Sequence, residues 1–383
     1  MLKVILSGGG TAGHVNPALA ISEIIKDSHP DAKFLYVGTP NGLECDLVKK
    51  AGMDFAPMNV AGFQRKPSFN NLKRNITAAN YLLHSGKRSR EILNSFKPDL
   101  VIGTGGYVCG PIVRMAAKMG IKTVIHEQNA FPGVTTKLLA KSVDKVMLTV
   151  EKAKDYIPQK EKCVVTGLPV RSGFLKGRLP KAEAKRALGF DDGLCILSTG
   201  GSLGAGRINE TVADLLAWYC ENGVKVNHIH SYGKNGRGSF AAMLASNGVK
   251  LDEHPNFMVK EYIDNMPVCM EAADLIISRC GAGALTEIEA VGCGSILVPS
   301  PIVAENHQYH NGMVLQNAGA AILIEQKDLT SKWLIDTVSE LISNPSRLES
   351  LSERAAALYI TDTPARIADV ITAFLSPEGR HGF

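Results

Sequence analysis

The sequence contains no C-x-x-C pair. Its eight cysteines, Cys45, Cys109, Cys163, Cys195, Cys220, Cys269, Cys280 and Cys293, stand singly, which argues against zinc and thioredoxin-like readings. Most lie among apolar or small residues, where a thiol behaves as a small hydrophobe; a reduced cytosolic compartment is expected. No run of about 18 apolar residues is present to span a bilayer. No charged segment leading into a long apolar run precedes the first strand, so no signal peptide is expected, and any membrane contact would be peripheral. Strong charge of either sign is also missing. With 42 basic and 37 acidic residues the net charge is +5, which does not by itself demand a nucleic acid.

What is present is an alternation. The chain has 383 residues, 45% hydrophobic and 21% charged, enough for two globular cores at roughly 100–200 residues per domain. Short apolar runs predict strands at Lys3–Leu6, Lys33–Val37, Leu100–Ile102, Lys122–Ile125, Lys145–Leu148 and Cys163–Thr166. They recur at Leu194–Ser198, Lys225–His230, Phe257–Lys260, Leu275–Ile277, Ile296–Val298 and Ala321–Ile324. Several are near-continuous Val, Ile and Leu, as in strands buried on both faces, and the helical stretches between them predict βαβ units. VILSGGGTAGH and CILSTGGSLGAGR both read as strand, glycine turn and helix. The expected fold is therefore α/β, two Rossmann-like domains with parallel sheets. The expected domains are residues 1–165 and 166–363, divided near TGLPVRSGFLKGR. After Leu329 only helices are expected, and the last, within about 364–383, is a candidate to pack back on the first domain.

The loop in VILSGGGTAGHVNP fits two phosphate-binding patterns incompletely. Gly8, Gly10 and Gly13 read as G-x-G-x-x-G, but the second strand ends in Gly38 and Thr39 rather than the acid that holds a dinucleotide ribose. Gly8 and Gly13 also match a P-loop, yet His14 and Val15 stand where Lys and Ser or Thr belong. Glycines permit a tight turn and close ligand approach, and a helix N-terminus suits an anion. Asn16 is expected to cap the helix, with Pro17 in its first turn. His14 reads either as a packing or capping residue or as a general base at the carboxyl end of a strand.

The second half holds three further loops at strand ends. STGGSLGAGR offers Ser202 and backbone amides. In ADLIISRCGAGALTEIEA a strand runs into a turn at Gly281 and Gly283 and then a helix. Glu287 early in that helix can hold the two hydroxyls of a ribose, or simply complement the helix dipole; Glu289 points about 200° further around. SPIVAENHQYHN supplies Asn306, His307, Gln308 and Asn311, whose amides suit sugar hydroxyls, and HEQN at His126–Asn129 sits similarly in the first half. Together these loops predict one ligand cleft between two domains.

GGTAGH (Gly9–His14), GGYVCGP (Gly105–Pro111), HEQN, GLPVR (Gly167–Arg171), GGSLGA (Gly200–Ala205), SRCGAGALTE (Ser278–Glu287) and NHQYHN (Asn306–Asn311) occur in that order. In this the chain resembles the MurG family of bacterial glycosyltransferases, over nearly its whole length. The resemblance implies a GT-B fold and inverting transfer of N-acetylglucosamine from UDP-GlcNAc to the muramoyl 4-hydroxyl of undecaprenyl-pyrophosphoryl-MurNAc-pentapeptide (lipid I). The product would be lipid II, for peptidoglycan synthesis and hence cell shape and division. It implies a first domain for acceptor and membrane and a second for UDP-GlcNAc. By matched position, Thr11, Ala12 and Gly13 would contact the donor near its sugar, and Asn129 and Gln308 the sugar itself. Arg171 and Ser202 would hold the diphosphate, and Ile263 would pair with uracil through its backbone. Ala282, Gly283, Ala284, Leu285 and Thr286 would line the nucleotide, and Glu287 would bind the ribose. Gly105, Gly106 and Tyr107 would serve the acceptor. Cys109 stands where that family often has Ser and Cys280 where Ser or Ala is usual; both are small and expected to be tolerated, though acceptor-loop hydrogen bonding at Cys109 is put in question.

The resemblance also implies no cofactor and no metal for the chemistry, with which the absence of a D-x-D run agrees. His14 is the expected base, or it orients the acceptor. Arg171 and helix N-termini would take up charge on the departing UDP. The expected location is the cytoplasmic face of the membrane, with an anionic lipid surface, and other cell-wall synthesis or division proteins, as partners and no nucleic acid. Phe55–Arg90 supports the lipid surface: it carries Arg65, Lys66, Lys73, Arg74, Lys87, Arg88 and Arg90 and no acid, with Leu72, Ile76, Ala79 and Leu83 at helical spacing. A core-facing helix with a solvated basic face is the other reading of that segment. The competing functions are another GT-B UDP-sugar enzyme, either a lipid glycosyltransferase or a UDP-GlcNAc epimerase, then a nucleotide-binding oxidoreductase, and a binding module without chemistry.

Overall fold

The structure is a computed structural model and describes residues 1–62, 69–170, 174 and 177–375; for residues 69–79, 82, 83 and 375 it describes the backbone only. The chain divides into two compact units, Met1–Arg171 with Ile360–Phe383, and Ser172–Tyr359.

In the first unit, β1 (Lys3–Ser7), α1 (Ala12–Ser28), β2 (Lys33–Gly38), α2 (Leu43–Lys50), β3 (Asp54–Pro57), α3 (Phe69–Phe96), β4 (Leu100–Gly103), α4 (Gly106–Lys118), β5 (Lys122–Glu127), α5 (Val134–Leu139), β6 (Lys145–Leu148) and β7 (Cys163–Val165) alternate. The strands form one parallel sheet in the order β3-β2-β1-β4-β5-β6-β7. Val4, Ile5 and Leu6, and Leu100, Val101 and Ile102, are wholly buried, because helices cover both faces of a parallel sheet and its central strands see no water. Strand β3 was not expected: its sequence DFAP is short and half-exposed at the sheet edge, so it carries almost no buried apolar run to read.

The second unit repeats the plan with α6 (Lys181–Ala187), β8 (Cys195–Thr199), α7 (Gly206–Asn222), β9 (Asn227–Ser231), α8 (Ser239–Ser246), β10 (Phe257–Lys260), α9 (Met266–Ala272), β11 (Leu275–Ser278), α10 (Ala282–Val291), β12 (Gly294–Leu297), α11 (His307–Asn317), β13 (Ala321–Leu323), α12 (Ser331–Ser343) and α13 (Pro345–Leu358). Its parallel sheet runs β10-β9-β8-β11-β12-β13. The final helix, α14 (Thr363–Leu375), belongs to the first unit. There Ile367, Val370 and Ile371 join Val4, Leu6, Ile21 and Ile25 in one apolar cluster.

Each sheet changes winding direction between its first strand and the strand on that strand's other side. In the first unit β1 pairs with β2 on one side and β4 on the other; in the second β8 pairs with β9 and β11. Loops leaving two such strands diverge to opposite faces and leave a crevice at the strands' carboxyl ends, where open α/β sheets hold ligands. The glycine motifs lie there: after β1 and β4 in one unit, after β8 and β11 in the other.

Candidate active site

In the first unit, helix α1 begins at Ala12, with Thr11 in the capping position. Asn16 and Pro17, expected at the helix start, lie inside it. The turn closes sooner because Gly10 adopts φ +83°, and Pro17, inside the helix, brings no N–H to bond the carbonyl of Gly13 one turn back. His14 therefore stands in the first helical turn, half-buried, while Thr11, Ala12 and Gly13 are exposed.

Several bonds fix this loop. Tyr36 donates its hydroxyl to Gly8 O at 2.7 Å, and Thr104 Oγ1 donates to His14 O at 2.7 Å. His14 Nδ1 lies 3.0 Å from Gly9 O and 3.3 Å from Thr11 Oγ1. A carbonyl only accepts, so in the neutral ring Nδ1 bears the proton and Nε2 keeps its lone pair. The loop after β4 closes over the same place: a Cβ on Gly105 would stand 2.8 Å from His14 Cδ2, and one on Gly106 would stand 2.3 Å from Gly9 O. Tyr107 is 43% exposed beside Gly10. Cys109 instead turns inward, donating to Gly106 O at 3.5 Å, and burial pushes its thiol up to about 12.

The HEQN segment ends β5 next to β4. His126 Nε2 donates to Gly167 O at 2.9 Å, while its Nδ1 meets the Gln128 amide at 3.1 Å; burial holds the ring below its ordinary pKa. Glu127, the second residue of that segment, has a role its sequence context does not announce. It accepts from Asn129 N and Asn129 Nδ2, both at 3.0 Å, from Gly133 N at 3.1 Å and from Thr136 Oγ1 at 2.5 Å. This buried carboxylate sets the pose of Asn129.

In the second unit the loop after β8 exposes Ser202. It packs against the turn after β9 so tightly that a Cβ on Gly204 would fall 2.1 Å from Tyr232 O. The loop after β11 is held from below. Arg279 donates to Val298 O, Pro299 O and Gln326 Oε1 at 3.1, 3.0 and 2.5 Å. Gln308 Oε1 accepts from Cys280 N at 3.3 Å and Ser300 N at 2.8 Å, and Asn311 Nδ2 donates to Cys280 O at 3.2 Å. Two side chains of α11, Gln308 and Asn311, thus help to shape this turn, and these bonds use the Gln308 carbonyl oxygen rather than its NH2.

Gly281 precedes α10, whose first backbone amides, at Ala282, Gly283 and Ala284, have no carbonyl one turn back to bond. Leu285 and Thr286 are buried, with Thr286 Oγ1 donating to Ala282 O at 3.1 Å; their side chains face the core. Glu287 is half-buried and Glu289 buried. Ile263 is buried just past β10, two strands from β8. Arg171 lies outside the described residues. Among the described residues no group of three or more His, Cys, Asp or Glu side chains is placed to hold a metal ion.

Residues 4–148 match the glycosyltransferase family 28 N-terminal domain and residues 195–367 the glycosyltransferase family 28 C-terminal domain. The chain is 40% identical, over 377 residues and 97% of each chain, to the UDP-N-acetylglucosamine--N-acetylmuramyl-(pentapeptide) pyrophosphoryl-undecaprenol N-acetylglucosamine transferase of Desulforamulus reducens. The crystal structure of Acinetobacter baumannii MurG superposes with a TM-score of 0.76 at 26% identity, over 97% of this chain and 99% of that one. A putative UDP-N-acetylglucosamine 2-epimerase from Listeria monocytogenes reaches 0.69 at 13% identity, over 100% of this chain and 98% of that one, which is a likeness of fold alone. An identity of 40% maintained across 97% of the chain, together with the family 28 domain at each end, shows that the chain belongs to the MurG family of GT-B glycosyltransferases.

Proposed function

We infer that the chain transfers N-acetylglucosamine from UDP-GlcNAc to the muramoyl 4-hydroxyl of lipid I, forming lipid II. Family membership over the full length supports the substrates, and the pose of His14 supports the chemistry. The muramoyl oxygen attacks the anomeric carbon of the donor sugar, the bond to the UDP oxygen breaks, and the new linkage is β. The proton leaves the attacking hydroxyl for His14 Nε2, the ring atom that Gly9 leaves with its lone pair.

The remaining roles follow the same reading. Glu287 holds the ribose hydroxyls, Ile263 the uracil, and the amides of Ala282, Gly283 and Ala284 face the nucleotide. Ser202 and Arg171 hold the diphosphate, where charge develops as UDP departs. Thr11, Ala12 and Gly13 approach the donor near its sugar; Asn129, oriented by Glu127, and the Gln308 amide bind that sugar. Gly105, Gly106 and Tyr107 serve the acceptor. No step in this reading uses a metal. Labelled UDP-GlcNAc with a lipid I analogue tests it: a labelled disaccharide-lipid is expected, and conversion of UDP-GlcNAc without transfer would favour an epimerase.

A lipid-anchored acceptor calls for an enzyme at a membrane surface, and the family resemblance makes the cytoplasmic face the expected one. Among the described residues no helix is long and apolar enough to cross a bilayer. Lys87, Arg88 and Arg90 are exposed on α3; Arg65 and Lys66, and the side chains of Leu72, Lys73, Arg74, Ile76, Ala79 and Leu83, lie outside the described residues. Co-sedimentation with anionic vesicles that weakens as salt rises is expected, and no sedimentation at any salt would refute the docking.

A further inference from the structure

Glu44 has no exposed surface, yet the cavity it fills is shaped around its carboxylate. Oε1 accepts from Thr39 N at 3.0 Å and Thr39 Oγ1 at 2.5 Å, and Oε2 accepts from Gly10 N at 3.3 Å. All three partners are donors, which suits an ionised group that only accepts. Glycines from three places in the chain make the room: a Cβ on Gly9 or Gly42 would stand 2.7 or 2.5 Å from Oε1, and one on Gly38 would stand 2.7 Å from Glu44 Cγ.

The bond to Gly10 reaches further than the loop. Gly10 N–H and Gly9 C=O are the two ends of one planar trans peptide and point in opposite directions. Glu44 holds the first; His14 Nδ1 bonds the second at 3.0 Å. Rotating that peptide plane would move both at once. We propose that Glu44 is the positioning residue for His14, acting through the Gly9–Gly10 peptide as the buried carboxylate of a hydrolytic triad acts directly on its histidine. Glu44 touches no substrate in this arrangement. It sets which ring nitrogen carries the proton and where Nε2 points, and the proposal rests on the reading of His14 as the base.

A double-mutant cycle tests it. Glu44→Gln keeps the volume but offers an amide NH2 to a site lined by donors. It is expected to lower kcat about tenfold to a hundredfold, part of the roughly 10²–10⁴ that a positioned general base supplies, with KM for UDP-GlcNAc within about twofold. In a His14→Ala background the same change is expected to cost nothing further, because the group it orients is gone. Gly42→Ala, which keeps Glu44 but crowds its carboxylate, is expected to show the same dependence on His14 and serves if Glu44→Gln does not fold. A kcat unaffected by Glu44→Gln, or an equal loss with and without His14, overturns the proposal alone. A kcat unaffected by His14→Ala overturns the reading on which it rests.

Discussion

The α-carbon of Gly106 lies so close to the carbonyl oxygen of Gly9 that a β-carbon there would stand 2.3 Å away. That oxygen is the one bonded to His14 Nδ1, so the two glycine loops of the first unit are in direct register at the imidazole. Gly106 also has φ +74°, a region that costs a side chain roughly 1 kcal/mol or more. Gly106→Ala is expected to depress kcat far more than donor affinity, with a modest fall in Tm. Steady-state kinetics beside donor titration would check this; unchanged turnover would mean the Gly9 carbonyl tolerates displacement.

His14→Ala is expected to leave UDP-GlcNAc binding intact and to reduce kcat by about 10²–10⁴, the usual worth of a general base. Calorimetric titration of the donor together with turnover at saturation would separate the two effects. A loss confined to donor affinity would assign His14 to binding.

A buried pair makes the second unit sensitive to acid. Ser198 Oγ lies 2.8 Å from both His228 Nε2 and His230 Nδ1, and the outer ring nitrogens of both histidines have no hydrogen-bond partner. Burial, reinforced for His230 by the charge of its neighbour, pushes each down to about 3. Unfolded, each takes a proton near pH 6.5. Between those values the unfolded state binds more protons, so stability falls as pH drops. His228→Asn and His230→Asn are each expected to make the slope of unfolding free energy against pH shallower by up to about 1.4 kcal/mol per unit. Urea melts from pH 7 to 4 would show it, and an unaltered slope would mean that neither ring stays neutral.

Glu289 has the opposite sign. Burial pushes its carboxyl up to about 8, so the folded state keeps a proton that the unfolded state releases near pH 4.5. Stability is therefore lost as pH rises through that window. Glu289→Gln is expected to raise Tm at pH 8 by several degrees and to change it little at pH 5. Equal Tm changes at both pH values would show that the carboxyl is already ionised.

What could be read without coordinates follows from how local each signal is. Strands such as Lys3–Ser7 and Leu100–Gly103 announce themselves by unbroken apolar runs, and the MurG motifs by their order. The start of α1 was misplaced because Asn16 and Pro17 look like a cap, while the backbone of Gly10 had already closed the turn. Glu44 escaped notice because its partner Gly10 is 34 residues away and nothing in GTPNGLE says that the carboxylate turns inward. The signal that could have found it is the glycine spacing: Gly38 and Gly42 leave space around one acid. Leu285 and Thr286 belong to a matched motif, yet helical periodicity alone turns them to the core. Asn311 reads in the sequence as an amide suited to sugar hydroxyls, and only the fold shows that its Nδ2 donates to the carbonyl of Cys280.

Because α14 completes the apolar cluster around Val4 and Leu6, the first unit is written in two pieces with the second unit between them. On the ribosome, the first unit's core waits for the residues of α14 before it can close, while Ser172–Tyr359 has everything it needs sooner. A chain halted before Thr363 would leave finished the half that binds nucleotide in our reading, and leave exposed the half that carries the base.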